Sequence, residues 1–295
     1  MSTPDAGSRI DEALVRQLLV TQFPAWAHFP LQRVKSAGTD NAIFRVGDEL
    51  AVRLPMRESA ASQAEREQRW LPKLAAQLPL PIPAPIAGGK ADMAHPWPWS
   101  VYTWMSGEDA ASAPVRDLSI AALDLGAFVR ALGRIDAEGG PAAGQANSGR
   151  GVPLALLDKR VRNDVAALGD EIERTAVLAA WDEALAAPLH AGAGAWLHGD
   201  LHPSNLLVRD GRIAGVLDFG LMGVGDPACD LFVAWSFLDA ASRKVFREVV
   251  EADEAAWLRG RGWAIFSAII ALAFYLRENP TLCAMSRRTL TEVLG

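Results

Sequence analysis

The chain has 295 residues, of which half are hydrophobic and 22% charged, with 29 Lys plus Arg against 35 Asp plus Glu and a formal net charge of −6. This balance excludes a disordered chain and allows a sizeable core in one large domain or two smaller ones. The negative charge argues against nucleic acid or an anionic membrane as main partner. Two cysteines, Cys229 and Cys283, fit a reducing compartment rather than a disulfide framework.

No basic segment followed by an apolar stretch opens the chain, so no secretory signal is expected. Residues 10–20 place Ile10, Leu14, Leu18 and Leu19 on one side of a predicted helix. Two short β-like runs follow, Ile43-Phe44-Val46 and Leu50-Val52-Leu54. They are joined through Gly47-Asp48-Glu49 and read as a hairpin. Residues 58–78 favour helix, with Pro72 marking a kink or an early stop. Prolines at 79, 81, 83 and 85 predict a stiff extended connector, and 97–105 reads as a single strand.

Beyond residue 115 the pattern is helical, apart from a Gly/Ala-rich loop over 138–151 and a β-rich block over 196–218. The longest apolar run, Trp263 to Leu276, is shorter than the roughly 20 residues a bilayer span needs and reads as a buried helix. The expectation is a soluble, cytoplasmic α+β protein. Its small N-terminal lobe, 1–105, is an antiparallel sheet with a helix and a connecting strand. Its larger, mainly helical lobe is 106–295.

The block from Trp196 to Leu231, WLHGDLHPSNLLVRDGRIAGVLDFGLMGVGDPACDL, carries the chemistry. Leu206 to Val208 and Ile213 to Leu217 read as two strands joined by the turn Arg209-Asp210-Gly211-Arg212. Asn205 then starts the first strand and Asp218 ends the second. Antiparallel neighbours lie about 5 Å apart, so an amide oxygen and a carboxylate can converge, with Asp200 brought near by the His202-Pro203-Ser204 turn. Two carboxylates and an amide oxygen are hard donors suited to Mg²⁺. Asp200 and Asn205 stand five residues apart, as in the kinase pattern H-R-D-L-x-x-x-N with Gly199 in place of the Arg, and Asp218-Phe219-Gly220 reproduces D-F-G.

With HGDLHPSNLLV, VLDFG and GDPACDL in this order, the chain resembles the aminoglycoside phosphotransferase family, which includes macrolide, choline and homoserine kinase relatives. The resemblance covers most of the chain and implies a bilobal protein-kinase-like fold. It also implies a small-molecule O-phosphotransferase using ATP or GTP with Mg²⁺ and a small hydroxylated acceptor. By this resemblance Asp200 orients the acceptor hydroxyl and takes its proton, while Asn205 and Asp218 hold the metal. Arg53 stands where such kinases usually carry Lys, and Glu67 where its acidic partner would be. Ser36, Gly38, Thr39 and Asn41 belong to a phosphate-covering loop with one glycine. Thr103, Trp104 and Met105 would offer backbone hydrogen bonds to a purine.

Several residues keep two readings. His198 and His202 flank Asp200 and imitate a zinc pair, but Gly199 and Pro203 argue for a loop, in which His198 would bond backbone near Asp218. Asp226 and Asp230 are either further metal ligands or supports, Asp226 bracing the catalytic loop and Asp230 capping or anchoring the next helix. Glu67 is either the partner of Arg53 or a solvated helix charge. Trp97, Trp99 and Trp104 either stack on a ligand or alternate into a core, and Cys229 reads as buried. Carboxylates in a helix over 164–173, at Asp109 and at Glu278 are candidates for holding a polycationic acceptor. The alternatives to an antibiotic kinase are a metabolite kinase, a nucleotide-binding module without transferase activity, and a protein kinase.

Overall fold

The computed structural model describes residues 10–34 and 40–295. It divides into two compact units, one formed by Met1–Ala76 with Pro81–Ser106 and the other by Gln77–Leu80 with Gly107–Gly295.

In the first unit, helix α1 (Glu12–Gln22) is capped by Asp11, whose carboxylate accepts from Leu14 N. Strands β1 (Leu31–Arg33), β2 (Asn41–Val46) and β3 (Leu50–Pro55) lead into helix α2 (Glu58–Ala75), followed by β4 (Pro85–Gly89) and β5 (Trp99–Thr103). The five strands form one antiparallel sheet in the order β1-β2-β3-β5-β4. Along β2, alternate residues Ala42, Phe44 and Val46 are buried, as the period of two requires. They pack with Val15, Leu18 and Leu19 of α1 and with Val52, Leu54, Trp99 and Val101. Trp99 therefore takes the core reading.

The proline stretch is not wholly a connector. Pro85 opens β4, an edge strand, where its missing N–H leaves no ladder bond unmade. The strand expected to stand alone, β5, lies inside the sheet between β3 and β4. Pro72 does not end its helix; α2 runs on through it to Ala75.

The second unit begins with β6 (Glu108–Asp109) and continues through helices α3 (Leu118–Arg134), α4 (Asp158–Leu168) and α5 (Arg174–Ala186). Then come β7 (Ala195–Leu197), β8 (Leu206–Arg209), β9 (Arg212–Val216) and β10 (Gly223–Gly225). Helices α6 (Val233–Ser236), α7 (Ala240–Val250), α8 (Glu254–Tyr275) and α9 (Pro280–Leu294) complete it. Helix α8 is the central packing element. Trp263, Ala264, Ile265, Phe266 and Ile269 are fully buried in it. At Gly262 a Cβ would stand 2.6 Å from Leu154 and 2.8 Å from Ala184, so only glycine permits that approach. No helix among the described residues is long and apolar enough to cross a membrane. The helix expected over 164–173 is instead broken at Gly169, whose φ of 56° lies in the left-handed region.

Candidate active site

The hairpin β8–β9 turns through Asp210 and Gly211, both at positive φ (53° and 74°). This is the backbone of a two-residue turn that matches strand twist. Its register pairs Leu206 with Val216 and Arg209 with Arg212. The two ends are tied where the strands open, as Leu217 N donates to Asn205 O at 2.8 Å. Asn205 and the Asp218 segment therefore lie side by side, as the spacing predicts. Asp218 itself takes a left-handed backbone (φ 58°, ψ 74°), uncommon for a residue with a side chain, and its carboxylate accepts from Gly220 N at 3.3 Å.

Asp200 sits on the loop after β7. Asn205 Nδ2 donates to Asp200 O at 2.8 Å and lies 3.3 Å from Asp200 Oδ2. With its NH₂ group so engaged, the amide keeps Oδ1 available as an acceptor. An amide oxygen and the carboxylates of Asp200 and Asp218 are hard oxygen donors, so the chemistry of these residues fits Mg²⁺.

The surrounding residues fix this loop. His198 is fully buried; its Nε2 contacts Leu217 O at 2.8 Å, and its Nδ1 accepts from Asp200 N at 3.1 Å. The Nε2–H tautomer satisfies both, so His198 is the backbone anchor expected of it. Its ring stands edge-on to Phe219. Gly199 has φ +82°, and a Cβ there would meet Leu221 O at 2.5 Å, so glycine is required where protein kinases carry Arg.

The roles expected of two aspartates are exchanged. Asp230 braces the loop, accepting from His198 N at 2.6 Å and Gly199 N at 2.8 Å. Asp226 is the cap: it accepts from Ala228 N at 3.0 Å and pairs with buried Arg259 at 2.7 Å. The reason is local. Pro227 opens a short 3₁₀ turn, which makes Asp226 its cap and carries Asp230 back under the loop.

Two further side chains lie within ion-pair range of Asp200, and neither was expected to face it. His202 Nε2 lies 3.4 Å from Asp200 Oδ2, and Arg150 Nη2 lies 3.9 Å from Oδ1. Burial works to raise the Asp200 pKa, but the His202 charge and hydrogen bond, with Arg150, hold the carboxyl well below the usual range. Burial works to lower His202, yet Asp200, with Asp218 adding, raises it above the ordinary imidazole value. For Asp230, burial dominates and raises the pKa despite its backbone bonds. The sequence reading gave the His202 side chain no role beyond that of a zinc candidate. Arg150 lies in a Gly/Ala-rich loop with no motif around it, and nothing local signals it.

In the first unit, Arg53 on β3 and Glu67 on α2 are paired. Arg53 Nη1 lies 2.6 and 2.7 Å from the two carboxylate oxygens, and Glu67 is buried. The solvated-charge reading of Glu67 is thereby excluded. Tyr102 Oη donates to the same carboxylate; burial foremost, then the Glu67 charge, raises its pKa. With its amide turned so that the oxygen faces the guanidinium, Asn41 accepts from Arg53 Nη2 at 3.0 Å and from Nε at 3.1 Å. Ser36, Gly38 and Thr39 lie outside the described residues. Thr103 N donates to Ala84 O at 3.0 Å and Trp104 N to Glu49 O at 2.6 Å, so these two amides serve the sheet and not a purine. Trp104 also stacks against Arg45.

Comparison with known proteins accords with this geometry. The sequence model of the Phosphotransferase enzyme family (APH) matches residues 32–263. No curated protein matches the chain. Among solved structures, a GDP complex of a mutant aminoglycoside 2'-phosphotransferase-IIIa superposes with a TM-score of 0.75 at 21% identity, covering 96% of this chain and 97% of that one. Macrolide 2'-phosphotransferase MphH from Brachybacterium faecium gives 0.61 at 24% identity, covering 95% and 97%. ADP-bound aminoglycoside phosphotransferase APH(2'')-Ib gives 0.61 at 16%, covering 97% of each. These define a bilobal, kinase-like phosphotransferase fold. The chain belongs to the Phosphotransferase enzyme family, as its motifs led one to expect.

Proposed function

We propose that this protein transfers the γ-phosphoryl group of ATP or GTP to a hydroxyl of a small molecule, with Asp200 as the residue that meets the acceptor. The observation that carries this reading is the Asp200–Asn205–Asp218 constellation at the open end of the β8–β9 hairpin, in a chain of this family. Asp200 would accept a hydrogen bond from the acceptor hydroxyl and so aim its oxygen. A carboxylate held this acidic is a weak base, so it takes the proton late, and orientation is its larger contribution. Asn205 and Asp218 would hold Mg²⁺, which when bound offsets negative charge on the phosphates.

The first unit would hold the nucleotide. Arg53, gripped by Glu67 and Asn41, presents a fixed cation to phosphate in place of the usual Lys. With the amides of Thr103 and Trp104 engaged, a purine would be read by carbonyls of that strand or by Met105. Solved relatives hold GDP or ADP, in keeping with either donor.

The pairing of acidic residues does not select the charge of the acceptor. Asp164 lies 3.6 Å from Arg160, Glu171 lies 2.5 Å from Arg287, and Asp109 accepts from Ala111 N, Ser112 N and the Ser112 hydroxyl. Asp164 and Glu171 would exchange a partly exposed arginine for a cationic acceptor at little cost, and Asp109 is paired with no cation among the described residues. A polycationic and a singly charged acceptor are therefore both compatible with these residues.

The test is a coupled nucleotide-turnover assay with Mg²⁺ and ATP or GTP over macrolides, small amino alcohols and aminoglycosides, with mass spectrometry of the products. One added phosphoryl group on one of these acceptors is expected. Nucleotide binding with no acceptor phosphorylated, across this panel and a metabolite extract, would leave a binding module instead.

A further inference from the structure

Arg150 belongs to no motif, yet its guanidinium is among the most enclosed charges in the second unit, with its side chain 7% exposed. Its Nε donates to Gly199 O at 2.8 Å, and its Nη2 stands 3.9 Å from Asp200 Oδ1. The guanidinium lies over the Phe266 ring, 5.1 Å from its centroid. The remaining nitrogen, Nη1, is buried with no hydrogen-bond partner. The loop that delivers it is itself tied down. Asn147 Oδ1 accepts from Gly144 N at 3.0 Å, and Asn147 Nδ2 donates to Arg150 O at 2.9 Å.

Burying a guanidinium with one nitrogen unmatched is unfavourable. An apolar side chain would fill the space against Phe266 without that penalty. What only the planar fork provides is a simultaneous hold on the Gly199 carbonyl and an approach to the next residue's carboxylate. Gly199 makes room for it, because Arg150 Cβ and Cγ lie 3.1 Å from the point a Cβ on residue 199 would occupy. In the kinase pattern an Arg immediately precedes the Asp. Here that position is emptied to glycine, and an arginine from a loop 49 residues upstream stands beside it.

We propose that Arg150 is a positioning residue for phosphoryl transfer: gripping Gly199 and facing Asp200, it fixes the direction in which Asp200 meets the acceptor hydroxyl. This rests on the reading of Asp200 as the residue that orients the acceptor.

The experiment compares wild type, Arg150→Met, Arg150→Lys, Arg150→Ala and Asp200→Ala in steady-state transfer to whichever acceptor the panel gives, with thermal melts to normalise for folded protein. Arg150→Met should lower kcat about 100-fold, the order expected when a catalytic group is misplaced by an ångström. KM for nucleotide should stay within about twofold, a split that mere loss of fold would not produce. Arg150→Lys should fall about tenfold, since an ammonium supplies charge without the fork. Guanidinium ion at low millimolar concentration, but not ammonium, should restore part of the Arg150→Ala activity. If the Met and Ala variants do not fold, Arg150→Lys carries the comparison. Wild-type kcat in the folded variants, or a loss confined to KM, while Asp200→Ala is inactive, would overturn the role of Arg150 alone. Full transfer by Asp200→Ala, or no transfer by wild type to any acceptor, would overturn the underlying reading and this inference with it.

Discussion

At the scale of single residues, the site is a set of charges whose balance sets its response to pH. His202 has its folded pKa raised by Asp200 and Asp218 against burial. A raised imidazole contributes stability that is fully present below its unfolded pKa of about 6.5 and is lost as pH rises through the folded value. The Asp200 carboxyl, held low against burial, acts in the opposite sense: its contribution is present above about pH 3.9 and is lost only in stronger acid. In metal-free buffer the thermal midpoint should therefore decline as pH rises from about 6 towards 9, and His202→Gln should flatten that decline. An unchanged pH profile in the variant would show that His202 is not held protonated. The proximity of Asp200, Asn205 and the Asp218 segment was legible in the sequence because a turn and a two-residue hairpin fix their spacing locally. Arg150 and the His202–Asp200 contact were not. The first depends on a loop 49 residues away, and the second on which way a side chain turns.

At the scale of elements, the loop that carries Asp200 is held by the turn after β10 and by helix α8. Asp226 joins the two, capping the 3₁₀ turn while pairing with Arg259 of α8 at 2.7 Å; both side chains are buried. Asp226→Ala would leave a guanidinium enclosed without its counter-ion and should destabilise the protein by about 3–5 kcal/mol. The measurement is the shift of the urea midpoint at unchanged slope. A loss below about 1 kcal/mol would mean the pair is dispensable. Elements whose residues alternate or repeat at helical spacing, such as β2, β3, α1 and α8, could be read from the sequence. β4 could not, because proline and glycine hid a strand that gains its partners only from β5. The exchange of roles between Asp226 and Asp230 has a similar origin, since both are aspartates near a helix start and only the fold decides which faces back.

At the scale of the whole molecule, a small antiparallel sheet unit holds an arginine paired with a buried glutamate, and a larger helical unit holds Asp200 bonded to Asn205 at the open end of a hairpin. The class of reaction was legible because kinase spacing lies within one short block. The acceptor was not, because the carboxylates that would recognise a polycation look alike in sequence whether open or paired with Arg160 and Arg287. The most direct test of the account measures Mg²⁺–nucleotide binding by calorimetry, and phosphoryl transfer, in wild type and Asp200→Ala side by side. The account predicts a nucleotide Kd within about threefold of wild type and a transfer rate lower by a factor of about 10³, within the range for losing a positioned acid–base group. Transfer at the wild-type rate by Asp200→Ala would contradict it.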